Sequence, residues 1–459
     1  MPDSTLHVDQ WTALVLAAGK GTRMRSQRPK VLHQVAGRAM VLHVTAALQA
    51  AGLPRPLVVV GHGADLVTAA LAEVAGTVLQ PEQLGTGHAV LQARELLAAG
   101  AAQHLLVLNG DMPLVQAATL TALMRQHTTT GAAVTIATCS NLDPRGLGRV
   151  VRDASGAVAA IVEEAVATPA QATLREVNVG IYAFALPWLW TQLEALPRNP
   201  NGEYYLTDVV AAAVAQGLPI ASVDIAEGIE ALGVNDRVQL AQAEAEVRQR
   251  IRNRLMLSGV TMLDPASTFI DADVTIGEDT VLLPNTLLAG ATAIGRDCRI
   301  GPGANLRDAT IGDGCLIGQA TLEECTVEAD VDIGPYCHLR PGAYIESHVH
   351  LGNYVEIKAS RIKSGTQVGH FSYLGDAEIG RNVNIGAGTI TCNYDGEHKH
   401  RTIIGDGAFI GSDSMLIAPL TIGEGAYTAT GAVVTKDVPP GATVAGVPAK
   451  PFIRKPPAP

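Results

Sequence analysis

His370 lies in the stretch QVGHFSYLGDAEIG, residues 367–380, as the one imidazole in a run punctuated by valine, leucine and glycine. A neutral imidazole, with an ordinary pKa of ~6.5, can take a proton near neutral pH. Arg340 in HLRPG, Lys358 in VEIKAS and Tyr373 flank it closely, and Asn384 and the segment CNYDG follow. Cations of this kind suit a phosphorylated acceptor, so the set reads as a proton acceptor beside an anion site. The other readings of His370 are a solvated corner and a contact between subunits.

A second chemical set stands near the start of the chain. LAAGKGTRMRSQRPK, residues 16–30, follows an apolar run and holds Gly19, Gly21, Thr22, Arg23 and Lys30. Glycines let backbone approach a phosphate chain closely, and successive N–H groups can cradle its oxygens. The spacing is not that of a P-loop, and Met24 stands where the dinucleotide fingerprint needs a small residue. Arg23 and Lys30 still supply two cations beside the turn, as charge developing on phosphate oxygens requires. Asp111, in LVLNGDMPL, ends another apolar run and could hold Mg²⁺ together with substrate phosphates. Its alternative is a turn or capping aspartate before Pro113.

These residues need elements to hold them. TALVLAAG (12–19), PLVVVGHG (56–63), HLLVLNGD (104–111) and AAVTIAT (132–138) read as strands buried on both faces. RAMVLHVTAALQAAG, ADLVTAALAEVAG and GHAVLQARELLAAG between them have helical spacing and end at glycine. That alternation predicts an α/β domain with a mostly parallel sheet, which binds ligands outside the carboxyl ends of its strands.

Beyond about residue 260 the period changes to six. Ile270, Ile276, Leu282, Leu288, Ile294, Ile300 and Leu306 form one series; Ile311 and Ile317, then Val327 through Ile357, then Ile362, Val368 and Leu374 continue it after short resets. Ile404, Ile410, Leu416 and Ile422 resume it past the insertion TITCNYDGEHKHRT (389–402). A six-residue repeat predicts a parallel β-helix of about nine coils with the repeated side chains stacked inside. The residue two places after the stacked one is Glu278, Arg296, Pro302, Asp313, Asp406 or Glu424, so that position faces outward, and His370 occupies it after Val368. The insertion is a candidate loop on a binding face. Between the halves, Leu240, Ala243, Val247, Ile251 and Leu255 predict a long linking helix, with Arg248, Arg250, Arg252 and Arg254 read as a solvated polar face.

The 459 residues suffice for two or three domains. Six scattered cysteines offer no zinc spacing and no disulfide framework, which suits a reducing cytosol. The start MPDSTLHVDQW lacks the order of a signal peptide, and no apolar run approaches the ~20 residues of a membrane span. A net charge of -11 argues against general nucleic-acid affinity. The expectation is a cytoplasmic protein that works on small anionic ligands.

LAAGKGTRM…PKVLH, LQPEQLGTGHA, NGDMPL, GLGRVV, IVEE, EVNVGIY and GVNDRVQL occur in the order found in sugar-1-phosphate nucleotidyltransferases. With a hexapeptide β-helix behind them, the chain resembles the bifunctional N-acetylglucosamine-1-phosphate uridyltransferase/glucosamine-1-phosphate acetyltransferases over roughly residues 12–450. The resemblance implies a Rossmann-like nucleotidyltransferase domain at 1–237, a linker helix at 238–258 and a left-handed parallel β-helix acetyltransferase domain with its tail at 259–459. It implies acetyl transfer from acetyl-CoA to glucosamine 1-phosphate, then uridylyl transfer from UTP to N-acetylglucosamine 1-phosphate, feeding peptidoglycan and lipopolysaccharide precursors.

Residue by residue, the resemblance implies that Leu16, Ala17, Ala18 and Gly19 wrap the nucleotide, with Arg23 and Lys30 on its phosphates. Gln80, Gly85 and Thr86 would read the uracil. Asn109, Gly110 and Asp111 would line the nucleotide-sugar site, Asp111 and Asn235 would hold Mg²⁺, and Gly148, Glu163 and Asn178 would grip the amino sugar. In the second half it implies His370 as proton acceptor, Arg340, Lys358, Tyr373 and Asn384 on the sugar phosphate, and Ala387, Asn393, Tyr394, Ser412 and Thr430 toward acetyl-CoA. A homotrimer is implied, with the acyl site between subunits. Asn109 departs from the tyrosine common in relatives, Thr430 stands where they carry alanine, and VAGVPAK lacks an arginine that some have, which leaves Lys450 as a cation for CoA phosphates.

Two rival readings exist. One is a single-activity sugar-1-phosphate nucleotidyltransferase whose β-helix is structural or regulatory, which would not need the set around His370. The other is a non-enzymatic regulator on the same folds, which would not need Arg23, Lys30 and Asp111.

Overall fold

Strand His104–Asn109 is apolar at every position but its ends, and in the computed structural model it lies inside a nine-stranded sheet. The structure describes residues 6–200 and 202–451. The first five residues, part of the stretch read above for a signal peptide, and the tail beyond 451 lie outside that range. The sheet's strand order is Ile220–Asp224, Val134–Cys139, Val177–Ala185, His104–Asn109, Trp11–Ala17, Leu57–Val60 and Gly76–Leu79, with the hairpin Arg149–Arg152/Val158–Val162 attached beside Val177–Ala185. All strands along that order run parallel except Val177–Ala185, which is antiparallel to both neighbours. Its first residues therefore meet the carboxyl ends of the others, and Asn178 is carried to the ligand-binding edge.

Alternation along the strands supplies two cores. Ala13, Val15, Leu106 and Leu108 pack on one face with Val44, Leu48 and Leu123 from helices; Leu14, Leu105 and Val107 pack on the other with Val90, Leu189 and Val209. Each fully enclosed leucine contributes about 1.5–3 kcal/mol relative to exposure. The helices Met40–Ala50, Ala64–Leu71 and Ala117–Thr130 belong to the first face, and Thr86–Gln92, Leu186–Glu194 and Asp208–Ala215 to the second. The second predicted helix is shorter than its pattern because the chain turns at Ala72–Ala75 to enter strand Gly76–Leu79.

The rest of the chain forms three sheets of 12, 10 and 9 short strands, parallel except for Lys450–Pro451 at the end of the first, which are the three faces of a β-helix. Successive coils pair in register, as Val368 with Ile385, Ile385 with Ile410 and Ile410 with Thr428. The hexad residues are buried as expected, Leu282, Leu306, Leu339, Val368, Leu374 and Leu416 at 0% exposure, whereas Ile276 in the first coil is half-buried. Corners are turned by Asp279, Asn285, Asp297, Asp308, Asp330 and Asn382, all at positive φ, where Asx side chains are tolerated best after glycine.

Contacts divide the chain into compact units 1–247 and 248–459, so the division falls inside helix Arg237–Leu257. Ala243, Val247, Ile251 and Leu255 are its buried positions. The expected solvated arginine face needs correction. Arg248 is ion-paired to Asp271 at 3.3 Å and lies 5.4 Å over the Phe269 ring, and Arg252 donates to the Thr268 carbonyl. Both guanidinium groups thus find their partners in the first coil. Among the described residues, no helix is long and apolar enough to cross a membrane.

Candidate active sites

In the first unit the loop after strand Trp11–Ala17 is anchored by Met24 and Val31, both buried, so the residues between and beside them are fixed toward the sheet's carboxyl edge. The single turn Lys30–Leu32 then aims Lys30 inward. Its ammonium is ion-paired to Asp111 Oδ2 and donates to Asn235 Oδ1 at 3.0 Å. Asp111 comes from the end of strand His104–Asn109, and its carbonyl accepts from Val234 N at 2.9 Å, which ties the two loops together. Asn235 Nδ2 donates to the Gly233 carbonyl, leaving Oδ1 turned toward Asp111 and Lys30.

One cleft of about 610 Å³ gathers Leu16, Ala17, Ala18, Gly19, Lys30, Gln80, Gly85, Thr86, Asn109 and Asp111. Gly110 stands behind it with its N–H on the Leu16 carbonyl. Gln80 is buried, and its Nε2 is held by the Gly85 carbonyl and His88 Nδ1. Gly85 has φ +98°, and a Cβ there would meet the Tyr204 carbonyl at 2.5 Å. A second cavity of about 480 Å³ holds Gly148, Glu163 and Asn178, and a third of about 990 Å³ holds Arg23, Asp111 and Asn235. Asn109 lines all three. Burial pushes the Glu163 carboxyl above the usual carboxylate range, with Asp208 adding to it and the Thr207 hydroxyl opposing.

The motif reading missed Glu203, Tyr205 and Thr207, which line these cavities. Their signal was NGEYYLTD, a turn followed by an aromatic pair between two helices. The Tyr204 N–H and carbonyl bond to Leu84 and Gly87, and the Leu206 N–H donates to Thr86 Oγ1, so this segment closes one wall of the cleft.

In the second unit the register groups the site residues into two places. His370, Ala387, Ser412 and Thr430 each stand two residues after the paired Val368, Ile385, Ile410 and Thr428, so they form one column along a corner of four successive coils. Bonds from Gly388 N to Phe371 O, Asp413 N to Ala387 O and Gly431 N to Ser412 O hold that column. His370 and Thr430 are exposed. Asn384 lies on the sheet face beside the column, paired with Gln367 and Phe409.

The other group lies at the far end of the adjoining face. Arg340 and Lys358 end their strands one coil apart, Arg340 being ion-paired to Glu356 at 2.9 Å. Tyr373 is on the next coil, and a Cβ at Gly375 would crowd its hydroxyl and Asn393 Nδ2 together. Asn393 donates to Asp376 from the base of the insertion, while Tyr394 is exposed on it. The insertion is ordered by Asp395, whose carboxylate accepts from the Glu397 and His398 N–H groups and from His400. It brings in Lys399, absent from the motif reading; its ammonium is held below the usual lysine range, first by hydrogen bonding to and then by repulsion from Lys358. Two ammonium groups placed together suit an anion between them.

The first unit is a nucleotidyltransferase in fold and cleft, and the second is a hexapeptide-repeat transferase. A family model described as a MobA-like NTP transferase domain matches residues 13–199, and one for the bacterial transferase hexapeptide (six repeats) matches residues 401–436. Bifunctional protein GlmU of Heliobacterium modesticaldum is 48% identical over 432 residues, covering 94% of each chain. Bifunctional protein GlmU of Trichlorobacter lovleyi is 48% identical over 93% of this chain and 94% of its own, and that of Pelobacter propionicus 47% identical over 94% of each. The chain belongs to the GlmU family of bifunctional transferases. It is a bifunctional enzyme of UDP-N-acetylglucosamine synthesis, an acetyltransferase and a uridyltransferase in one polypeptide, which removes the single-activity and regulator readings.

Proposed function

We propose that uridylyl transfer belongs to residues 1–237, acetyl transfer to 259–459, and that helix 238–258 links them. UTP occupies the cleft with its uracil at Gln80, Gly85 and Thr86 and its phosphates at Gly19, Arg23 and Lys30. N-acetylglucosamine 1-phosphate enters beside it at Gly148, Glu163 and Asn178. A phosphate oxygen of the sugar attacks the α-phosphorus of UTP, the bond from that phosphorus to the bridging oxygen breaks, and pyrophosphate leaves with the electron pair. Arg23 and Lys30 offset the charge on the phosphate oxygens, and no protein nucleophile is required. The observation that carries this reading is the convergence of Lys30, Asp111 and Asn235 where the first and third cavities meet.

Asp111 Oδ2 and Asn235 Oδ1 already share one positive centre, the Lys30 ammonium, and one carboxylate with one amide oxygen is a hard donor set that fits Mg²⁺. Asp111 and Asn235 would hold the ion, which would supply charge neutralisation on the phosphates beside Lys30.

In the second unit His370 takes the proton from the amine of glucosamine 1-phosphate as its nitrogen attacks the thioester carbonyl of acetyl-CoA and the CoA thiolate leaves. Ala387, Ser412 and Thr430, in line with His370, border the acetyl-CoA, and Asn393 and Tyr394 approach it from the insertion. Arg340, Lys358, Tyr373 and Asn384 serve the sugar phosphate. His370 and Lys358 stand at opposite ends of one sheet face, which supports completion of the site by a neighbouring copy in a homotrimer that works in the cytoplasm. The test uses the two activities separately. Asp111→Ala should lower uridylyl transfer at least 10²-fold on the scale of lost electrostatic groups while acetyl transfer continues; loss of both in a folded variant sinks the division.

A further inference from the structure

Strand Val177–Ala185 is irregular where it matters. Asn178 pairs with Thr138, but Tyr182 pairs with Ile136, so the strand carries a bulge, with Gly180 at φ +84° inside it. A Cβ at Gly180 would meet Asn109 Nδ2 at 2.7 Å, so the bulge needs glycine there. Alternation keeps Asn178 and Tyr182 on the same side of the strand, and the bulge between them brings their side chains together. Asn178 Nδ2 donates to the Tyr182 hydroxyl oxygen at 2.6 Å, and both residues line the cavity that also holds Gly148 and Glu163.

The hydrogen-bond count around that phenol is unbalanced. Tyr182 is 5% exposed and its ring stacks on Phe184. Burial pushes its pKa far above the ordinary phenol value, with the Asn178 bond opposing and the nearby Glu163 adding, so it keeps its proton. Its oxygen accepts from Asn178, and its O–H donates to no partner among the described residues. A buried hydroxyl left without an acceptor is costly. The nearby oxygens of that cavity are engaged elsewhere, Asn178 Oδ1 accepting from Gly180 N and Glu163 Oε1 from the Thr207 hydroxyl. A sugar bearing an acetamido carbonyl and hydroxyl oxygens supplies the acceptor the phenol lacks.

We propose that Tyr182 is a specificity-determining positioning residue for the amino-sugar phosphate: it fixes the Asn178 carboxamide and turns its own O–H to the sugar. This rests on the reading that the Gly148–Glu163–Asn178 cavity takes the sugar. The nucleotide cleft does not include Tyr182, so the effect is confined to one substrate. Tyr182→Phe keeps the ring and its stacking on Phe184 and removes only the hydroxyl.

Steady-state uridylyl transfer by the full-length enzyme tests it, with acetyl transfer as the folding control. For Tyr182→Phe the KM for N-acetylglucosamine 1-phosphate should rise roughly tenfold, the loss of about one hydrogen bond, while the KM for UTP stays within about twofold. In the Asn178→Ala background the same change should cost much less, because the carboxamide it holds is gone. An unchanged sugar KM, or equal rises for sugar and UTP, overturns the proposal. Glu163→Ala separates the two levels. If it raises the sugar KM and Tyr182→Phe does not, the role of Tyr182 fails alone; if neither does, the cavity assignment fails with it.

Discussion

Acidification should weaken the first unit through a packed trio of rings at the sheet edge opposite the catalytic cleft. Trp11, His104 and His127 lie with ring centroids 4.9, 5.4 and 5.0 Å apart. His127 is 1% exposed, and burial first, then the neighbouring His104, lowers its pKa from 6.5 to about 3. Burial lowers His104 as well. His127 Nε2 and His104 Nδ1 have no hydrogen-bond partner among the described residues, so an added proton meets no carboxylate there. The unfolded chain takes up a proton below pH 6.5 that the folded chain refuses until about 3, so stability falls as the pH drops through that window. From about pH 7.5 to about pH 5 the loss from His127 alone is about 2 kcal/mol, at ~1.4 kcal/mol for each unit below the unfolded value. All three tryptophans, Trp11, Trp188 and Trp190, lie in the first unit, so intrinsic fluorescence in urea reports on it in the intact protein. His127→Phe preserves the ring contacts and loses the bond to Thr135 Oγ1, a cost of about 1 kcal/mol that is the same at every pH. Its stability should therefore fall by about 2 kcal/mol less than the wild type over that interval. Equal losses in the two proteins would refute the reasoning.

Other outcomes follow from the β-helix. His370→Ala should reduce acetyl transfer by about 10²–10⁴-fold, the range of general-base catalysis, with uridylyl transfer intact; near-normal acetyl transfer would return His370 to a surface corner. Lys399→Ala should raise the KM for glucosamine 1-phosphate about tenfold by removing one charge-assisted contact, and a matching rise for acetyl-CoA would assign the lysine pair to the other substrate. Arg248→Ala should lower the urea midpoint of the β-helix, because it leaves the half-buried Asp271 carboxylate without its ion pair and uncovers Phe269; circular dichroism showing no shift would mean that the arginine is solvated after all.

The hexad phase made half of the proposed acetyl site legible. Once Val368 is inward, His370 must point out, and the same offset carries Ala387, Ser412 and Thr430 to one corner; that column needs only the period and the register of stacked coils. Asp111 at a strand's carboxyl end was readable for a similar reason, since sheet topology fixes the binding edge before any side chain is considered. What the sequence hides is contact between segments far apart with no shared period. Lys30 meets Asn235 across 205 positions, and Leu206 meets Thr86 across 120, so no window along the chain contains both partners. Arg248 and Arg252 look like a polar stripe because local pattern records charge and not the partners in the first coil, Asp271, Phe269 and the Thr268 carbonyl, that take up their guanidinium groups.

Tyr182 is the case in which the two kinds of information conflict. A strict alternation from Asn178 would place residues 178, 180 and 182 on one side, but it says nothing of how close their side chains come. The bulge is what brings the Asn178 amide to the phenol at 2.6 Å, and it depends on Gly180 taking a positive φ beside Asn109. Asn109 is also the residue that lines all three cavities of the first unit. A substitution at Gly180 should therefore disturb sugar and nucleotide binding at once, whereas Tyr182→Phe should disturb sugar alone. That difference separates a defect of the strand's path from a defect of one hydroxyl group, and it ties the selectivity of the site to backbone geometry that no motif encodes.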